Sequence, residues 1–362
     1  MIQMKIKYWL FCLRLNLSIL CFYLLSCSST INNDIVSFNV PKEGDSGFQL
    51  SNLSKSIEYI ALETNEDSFL KLIQDLKFYK DKVFVLDFTS KILVFDRSGK
   101  FLYRLGNSGD GPGEFSSVSS FVIDEQTETV HIASLNRLIS YSLENEYLVE
   151  KKVPFFIDYI DVINKKISLI AGNDGIKYND KYVNQRSLFF MDKDLKISDS
   201  IPLLYIELDK ETAASYPYKN YISKVNNENF IYTPVLVNES IIRDTLFNLV
   251  EKTLIPYLKL NFAPPLMNNK GNKLVVVKNV ILSENYLLCE YIRNGRNMSF
   301  IGNRNNEFSI NLTDGFLIDD EEVIQLRPFD LSKDQFYFIK TYNFSNISNE
   351  ELNPLIGIVS LQ

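Results

Sequence analysis

Residues 99–115 read GKFLYRLGNSGDGPGEF, with glycine at 106, 109, 111 and 113 and proline at 112. An apolar run, FLYRL, leads straight into the glycine cluster, and a second, FVID (121–124), follows soon after it. A phosphate loop of the Gly-x-x-x-x-Gly-Lys-Ser/Thr kind opens a helix, whereas here Glu114, Phe115 and Ser116 lead into a strand. A dinucleotide fingerprint needs Gly-x-Gly-x-x-Gly at a strand-to-helix junction. Gly109, Gly111 and Gly113 are spaced differently, and Glu114 would repel phosphate. The stretch therefore reads as a crossing between two packed sheets. Gly106, Gly109, Gly111 and Gly113 supply left-handed and close-approach backbone, Phe115 plugs the gap, and Glu114 accepts backbone N–H bonds.

Working outward from this crossing, little beyond residue 50 has the period of a long amphipathic helix; ELDKETAAS (207–215) is the best short candidate. The chain is instead a series of five- to eight-residue runs rich in Ile, Val, Leu, Phe and Tyr, separated by Asn, Asp, Gly and Lys, the pattern of strands. Six of them are second members of hairpins, beginning near Val83, Val130, Ile167, Phe230, Tyr286 and Phe336. Their spacing is on the order of fifty residues, the period of a propeller blade with variable loops. A basic residue then precedes a third strand in five repeats, at Lys91, Arg137, Arg186, Arg243 and Arg296. Within the first repeat, Asp96-Arg97-Ser98-Gly99 reads as a hairpin turn with Gly99 at positive φ.

These repeats predict an all-β, six-bladed β-propeller over residues 51–362. The last blade lacks a second hairpin, because only LIGIVSL (355–361) remains. The first apolar run, SIEYIALET (56–64), has no partner of its own. Pairing the two lets the N-terminal strand close the last blade and removes exposed sheet edges.

The N-terminus is an address. Lys5, Lys7 and Arg14 form a positive region, LNLSILCFYLL (15–25) is short and apolar, and Leu24-Leu25-Ser26-Cys27 ends it. This resembles a bacterial lipoprotein signal over residues 1–26, with Cys27 as the lipidated residue; the alternative is an uncleaved anchor. Residues 27–50 are polar and aperiodic, and are expected to be a flexible tether. Localisation follows as the cell envelope, lipid-anchored to an outer membrane on its periplasmic side or at the cell surface. Cys289, in YLLCEY, is expected to be a buried small hydrophobe.

The run from Lys91 to Ile132 resembles an NHL-type repeat, with its FDRSGKFL hairpin and GDGPGEF crossing. From Ile57 onward the chain resembles the six-bladed β-propeller lipoproteins of Bacteroidetes-type bacteria, through Leu62-Glu63-Thr64, those two segments and Asp244 to Phe247. Only the first junction carries the glycine signature. The resemblance implies a fold and a cellular address more than an activity.

The net charge of −7, without a long basic run, argues against nucleic acid. One histidine and four cysteines leave little material for a zinc site or a Cys/His nucleophile pair. His131 alternates with apolar neighbours in a strand and is read as packed, or else as a ligand facing the channel. Asp124, Asp319, Asp320, Glu321 and Glu322 could hold Ca²⁺ through oxygens, but without EF-hand spacing. Lys91, Arg137, Arg186, Arg243 and Arg296 occupy equivalent positions. They either form a ring that attracts an anionic ligand or pair locally with acids, Lys91 with Asp87 for example. The expected function is a non-catalytic, monomeric binding module for a glycan, a peptide or an outer-membrane protein, with its cofactor unknown. The competing expectations are an NHL-like lyase or hydrolase with a metal or acid–base pair at the channel mouth, and a docking subunit of an outer-membrane complex.

Overall fold

The computed structural model describes residues 35–319, 322–341 and 352–362. From Val36 onward they form six sheets of at least four strands and one small hairpin, Phe316–Ile318 with Glu322–Ile324. Blade 1 spans residues 73–105, blade 2 120–152, blade 3 156–208, blade 4 222–262 and blade 5 275–313. Blade 6 is built from Arg327–Asp330, Gln335–Lys340 and Leu355–Leu361, and Ser54–Ala61 is its outermost strand. The fold is an all-β propeller.

Local sequence explains the strand roles. Second strands such as Lys82–Asp87 (KVFVLD) bury nearly every residue, so they read as continuous apolar runs. Fourth strands such as Thr253–Phe262 alternate buried and exposed residues towards their C-terminal ends, as a half-covered face requires. First strands of blades 1, 2 and 3, and of blades 4 and 5, touch one another beside the channel. The apolar core lies between adjacent blades: Phe84, Ile92 and Val94 of blade 1, for example, pack with Phe121, Ile132 and Ile139 of blade 2. Within each four-stranded meander, the first and last turns leave one face of the ring. The second turn and the crossing to the next blade leave the other. We call these the turn face and the crossing face.

Ring closure occurs as the sequence predicts. Ser54–Ala61 pairs antiparallel with Leu355–Leu361, with Ile57 opposite Val359 and Ile60 opposite Ile356. Gly99 closes its turn at φ 91°, and a Cβ there would lie 1.9 Å from the Ala61 carbonyl oxygen.

Two expectations are corrected. Residues 36–50 are not a flexible tether. Val36–Val40 adds to blade 4 as a fifth, parallel strand, with Phe38 opposite Leu260. Phe38, Val40 and Leu50 are buried, and Phe38 meets the Phe300 ring of blade 5 edge-on at 6.1 Å. Asn311 of blade 5 donates to the carbonyls of Pro41 and Glu43. Burying three apolar side chains stabilises by roughly 1.5–3 kcal/mol each, enough to hold this segment as a strap over blades 4 and 5. Secondly, ELDKETAAS forms no helix. Glu207 and Leu208 end the strand Ile197–Leu208, and the following residues are irregular. Asn184 donates to the Thr212 carbonyl and fixes that departure. The expected signal peptide, Cys27, residues 27–34, Asp320 and Glu321 lie outside the described residues.

Candidate functional site

The glycine crossing is built for packing. Gly106 has φ 61°, and a Cβ there would meet Phe115 at 2.6 Å and the Tyr141 hydroxyl at 2.8 Å. Phe115 is buried between blades 1 and 2 and meets Tyr141 edge-on at 6.4 Å. The Gly111 N–H donates to Glu114 Oε2 at 3.0 Å. Gly109 and Gly113 keep positive φ, and their missing side chains leave room for Glu114 and Tyr147. Arg137 donates to the Glu114 carbonyl and lies 3.4 Å from Glu150. Glu114 and Arg137 are thus turned onto the loop's own backbone, while Asn107, Ser108 and Asp110 stay exposed.

The other basic positions sit at or near the start of third strands, and most find acceptors nearby. Lys91 donates to the Phe69 carbonyl at 2.9 Å and not to Asp87, which corrects the expected pairing. The Asp87 carboxylate instead accepts the backbone N–H groups of Lys71, Leu72 and Thr89 and the Thr89 hydroxyl. Burial opposes its charge, but these donors hold its pKa below the ordinary carboxylate value. Arg243 makes two hydrogen bonds to Glu239. Arg296 opens its strand exposed to solvent. His131 is buried and shares a 2.8 Å hydrogen bond with Ser140. Burial lowers its pKa to about 4, against the pull of Asp124. Asp124 is occupied by Gln126 and Thr127, Asp319 by Lys340, and Glu322 by Thr341. Among the described residues, no three His, Cys, Asp or Glu side chains gather as a metal site.

Arg186 is different. The second and third strands of blade 3, Lys166–Tyr178 and Lys181–Met191, are longer than their counterparts and rise above the crossing face. Arg186 lies in the raised part, opposite Gly172, where a Cβ would strike the facing backbone at 1.9 Å. Its guanidinium holds Asp174 at 2.8 and 2.9 Å and pairs with Asp158. Lys219 stands 3.7 Å from Asp158. Burial works against the Arg186 charge, but Asp174 and Asp158 outweigh it and raise its pKa above that of an ordinary arginine. This ion cluster lines one side of a cavity of about 300 Å³ between blades 3 and 4. Leu204, Ile206, Val235 and Val237 form an apolar wall. The site is amphipathic: four balanced charges stand beside aliphatic surface.

The chain leaving this cavity, residues 209–221, stretches across the channel from blade 3 to blade 4. Gln74 of blade 1 reaches the Pro217 carbonyl at 3.4 Å, and the Tyr216 hydroxyl bonds Lys278 and Asn279 of blade 5. The Tyr218 ring lies 3.7 Å from the Arg327 guanidinium of blade 6. Arg327 pairs with Glu290, whose second oxygen accepts from Asn279 at 2.6 Å. One crossing thus anchors on three further blades and plugs the channel. Sequence reasoning singled out Arg186 but missed Asp158, Asp174, Lys219 and Tyr218. Their one local signal is polar residues interrupting apolar strands, as at Asp158 in FFIDYI.

Comparison with known proteins agrees with this architecture. An exported protein of Bacteroides fragilis, so described, shares 18% identity and superposes with a TM-score of 0.62, covering 91% of this chain and 99% of its own. A member of the DUF4221 family from Bacteroides vulgatus shares 11% identity at a TM-score of 0.53, covering 86% and 97%. At these identities the likeness is one of fold. No curated protein matches the sequence. Residues 34–358 match the model of a domain of unknown function, DUF4934, and the chain belongs to that family.

Proposed function

We propose that this chain is an exported, lipid-anchored propeller that captures a ligand or protein partner on its crossing face without catalysing a reaction on it. The observation that carries this reading is the cavity between blades 3 and 4, where the Arg186–Asp158–Asp174–Lys219 cluster faces an aliphatic wall. Such a surface suits a partner that inserts an apolar group and sets polar atoms against a fixed array of charge. The two carboxylates hold the arginine in place before the partner arrives, which reduces the ordering cost of binding. The signal-like N-terminus and the exported B. fragilis relative support the address.

The test is thermal-shift screening of acidic glycans and peptides against the parent and Ala214→Trp, which narrows the cavity without touching its charges. A compound that stabilises the parent and not the variant supports the site. Equal shifts in both proteins, or none in the parent, would sink it.

A further inference from the structure

Behind the plug, the channel opens on the opposite, turn face as a cavity of about 510 Å³. First strands of blades 1, 2, 3, 4 and 6 line it, and Glu125, Asn226 and Ser332, from first-hairpin turns, mark its mouth. The volume falls within the roughly 300–1,000 Å³ of small-molecule sites. The plug lies between this cavity and the crossing face.

The charges on this wall are largely compensated. Lys77 pairs with Asp75 at 3.0 Å, Lys224 with Asp161, and Asp330 with Lys333 at 2.6 Å. The Arg97 guanidinium lies 4.7 Å from the Phe78 ring and donates through Nε to the Lys80 carbonyl at 3.0 Å. A charged ligand would therefore lose its hydration without meeting a free counter-charge. One wall residue is not satisfied. Asn220, 5% exposed, gives its backbone N–H to Asn279 Oδ1 at 2.9 Å, but its side-chain Nδ2 has no protein acceptor within reach. Leaving a buried amide donor unmatched costs about 1–3 kcal/mol, which a ligand oxygen would recover.

We infer that the channel is a second binding site, for a neutral, hydroxyl-rich ligand about the size of a disaccharide. Asn220 Nδ2 donates to a ligand oxygen at the inner end. Lys224 and Asp161 offer a donor and an acceptor side by side, which is what a hydroxyl group uses. Tyr159, Ile222 and Phe329 pack against the ligand's carbon faces.

Asn220→Leu keeps the approximate volume and removes the unmatched donor. The variant is expected to melt at the same temperature as the parent or higher, while losing affinity for the ligand. Saturation-transfer NMR with cellobiose and maltose at about 10 mM, above a millimolar Kd, should show binding to the parent. Asn220→Leu and Asp161→Asn should each weaken it at least about tenfold. Tri-alanine serves as the peptide comparison. No sugar binding to the parent, undiminished binding in both variants, or a preference for tri-alanine each overturns the inference. If Asn220→Leu does not fold, Asp161→Asn alone decides.

Discussion

Two crossings between blades solve the same geometrical problem in opposite ways. Between blades 1 and 2, residues 106–115 use glycine to bring backbone close, bury Phe115, and turn backbone polar groups onto Glu114 and Arg137. Between blades 3 and 4, residues 209–221 contain no glycine. That chain is held by Asn184 of blade 3 and by side chains from three further blades, Gln74, Asn279 and Arg327. The first is a local device whose cost and gain sit within two blades. The second stretches across the channel, separates two cavities and depends on a buried ion pair. A conspicuous local motif here marks structure, and the chemistry gathers where the chain has no motif at all.

The sharpest way to break this contrast is Arg327→Met. It leaves Glu290 as an unpaired buried charge and removes the cation beneath Tyr218, so a loss of about 3–5 kcal/mol is expected in denaturant unfolding. A loss under about 1 kcal/mol would mean that the second crossing is not anchored as described.

Blade 2, on which the glycine crossing lands, should carry a pH signature of comparable size. His131 has a folded pKa of about 4, below its ordinary value of 6.5. Its contribution is fully present above pH 6.5 and is lost as the pH falls towards 4, because the unfolded chain binds the proton more tightly. The loss is about 3 kcal/mol over that window. It is the chain's only histidine, so His131→Asn should flatten the stability profile between pH 6.5 and about 4.5; an unchanged slope would refute the assignment.

Gly106→Ala tests the first crossing directly. The positive φ and the overlap with Phe115 and Tyr141 predict a loss of about 2 kcal/mol. Ligand binding on either face should be unchanged, as titration calorimetry of the folded variant would show. The smallest effect belongs to Tyr218→Ala, which gives up a cation–π contact worth about 1–2 kcal/mol. Its readout is proteolysis: cleavage within 209–221 should speed up in the variant while 106–115 stays protected. Equal protection of both segments would erase the distinction.

How far each region could be read from sequence follows the same line. The second strands beginning near Val83, Val130 and Tyr286 were legible because each buries both faces and repeats at blade spacing. The closing pair, Ile57 with Val359, was legible because each run lacked a neighbour. Val36–Val40 was not, since its five residues sit in a polar stretch and its partner, Leu258 to Phe262, lies far along the chain. ELDKETAAS misled because its Glu, Lys and Ala favour helix locally, whereas Asn184 of blade 3 fixes the chain at Thr212, and Gln74 and Arg327 hold Pro217 and Tyr218 just beyond it from other blades. The arginine series suggested equivalence. Arg186 lines an interblade cavity, because the raised hairpin of blade 3 brings Asp174 beside Asp158.

The strand that closes blade 6 also imposes an order of events. Leu355–Leu361 lies between Gln335–Lys340 and Ser54–Ala61, so neither flanking strand can complete its ladder until residues 355–361 are available. Synthesis from the N-terminus leaves Ser54–Ala61 without its ladder partner while blades 1 to 5 gather. The closing step docks two strands with the greatest sequence separation among the described strand pairs, the kind of contact that slows folding. Loss of Leu355–Leu361 would leave two unpaired edges at once, each open to association with another chain.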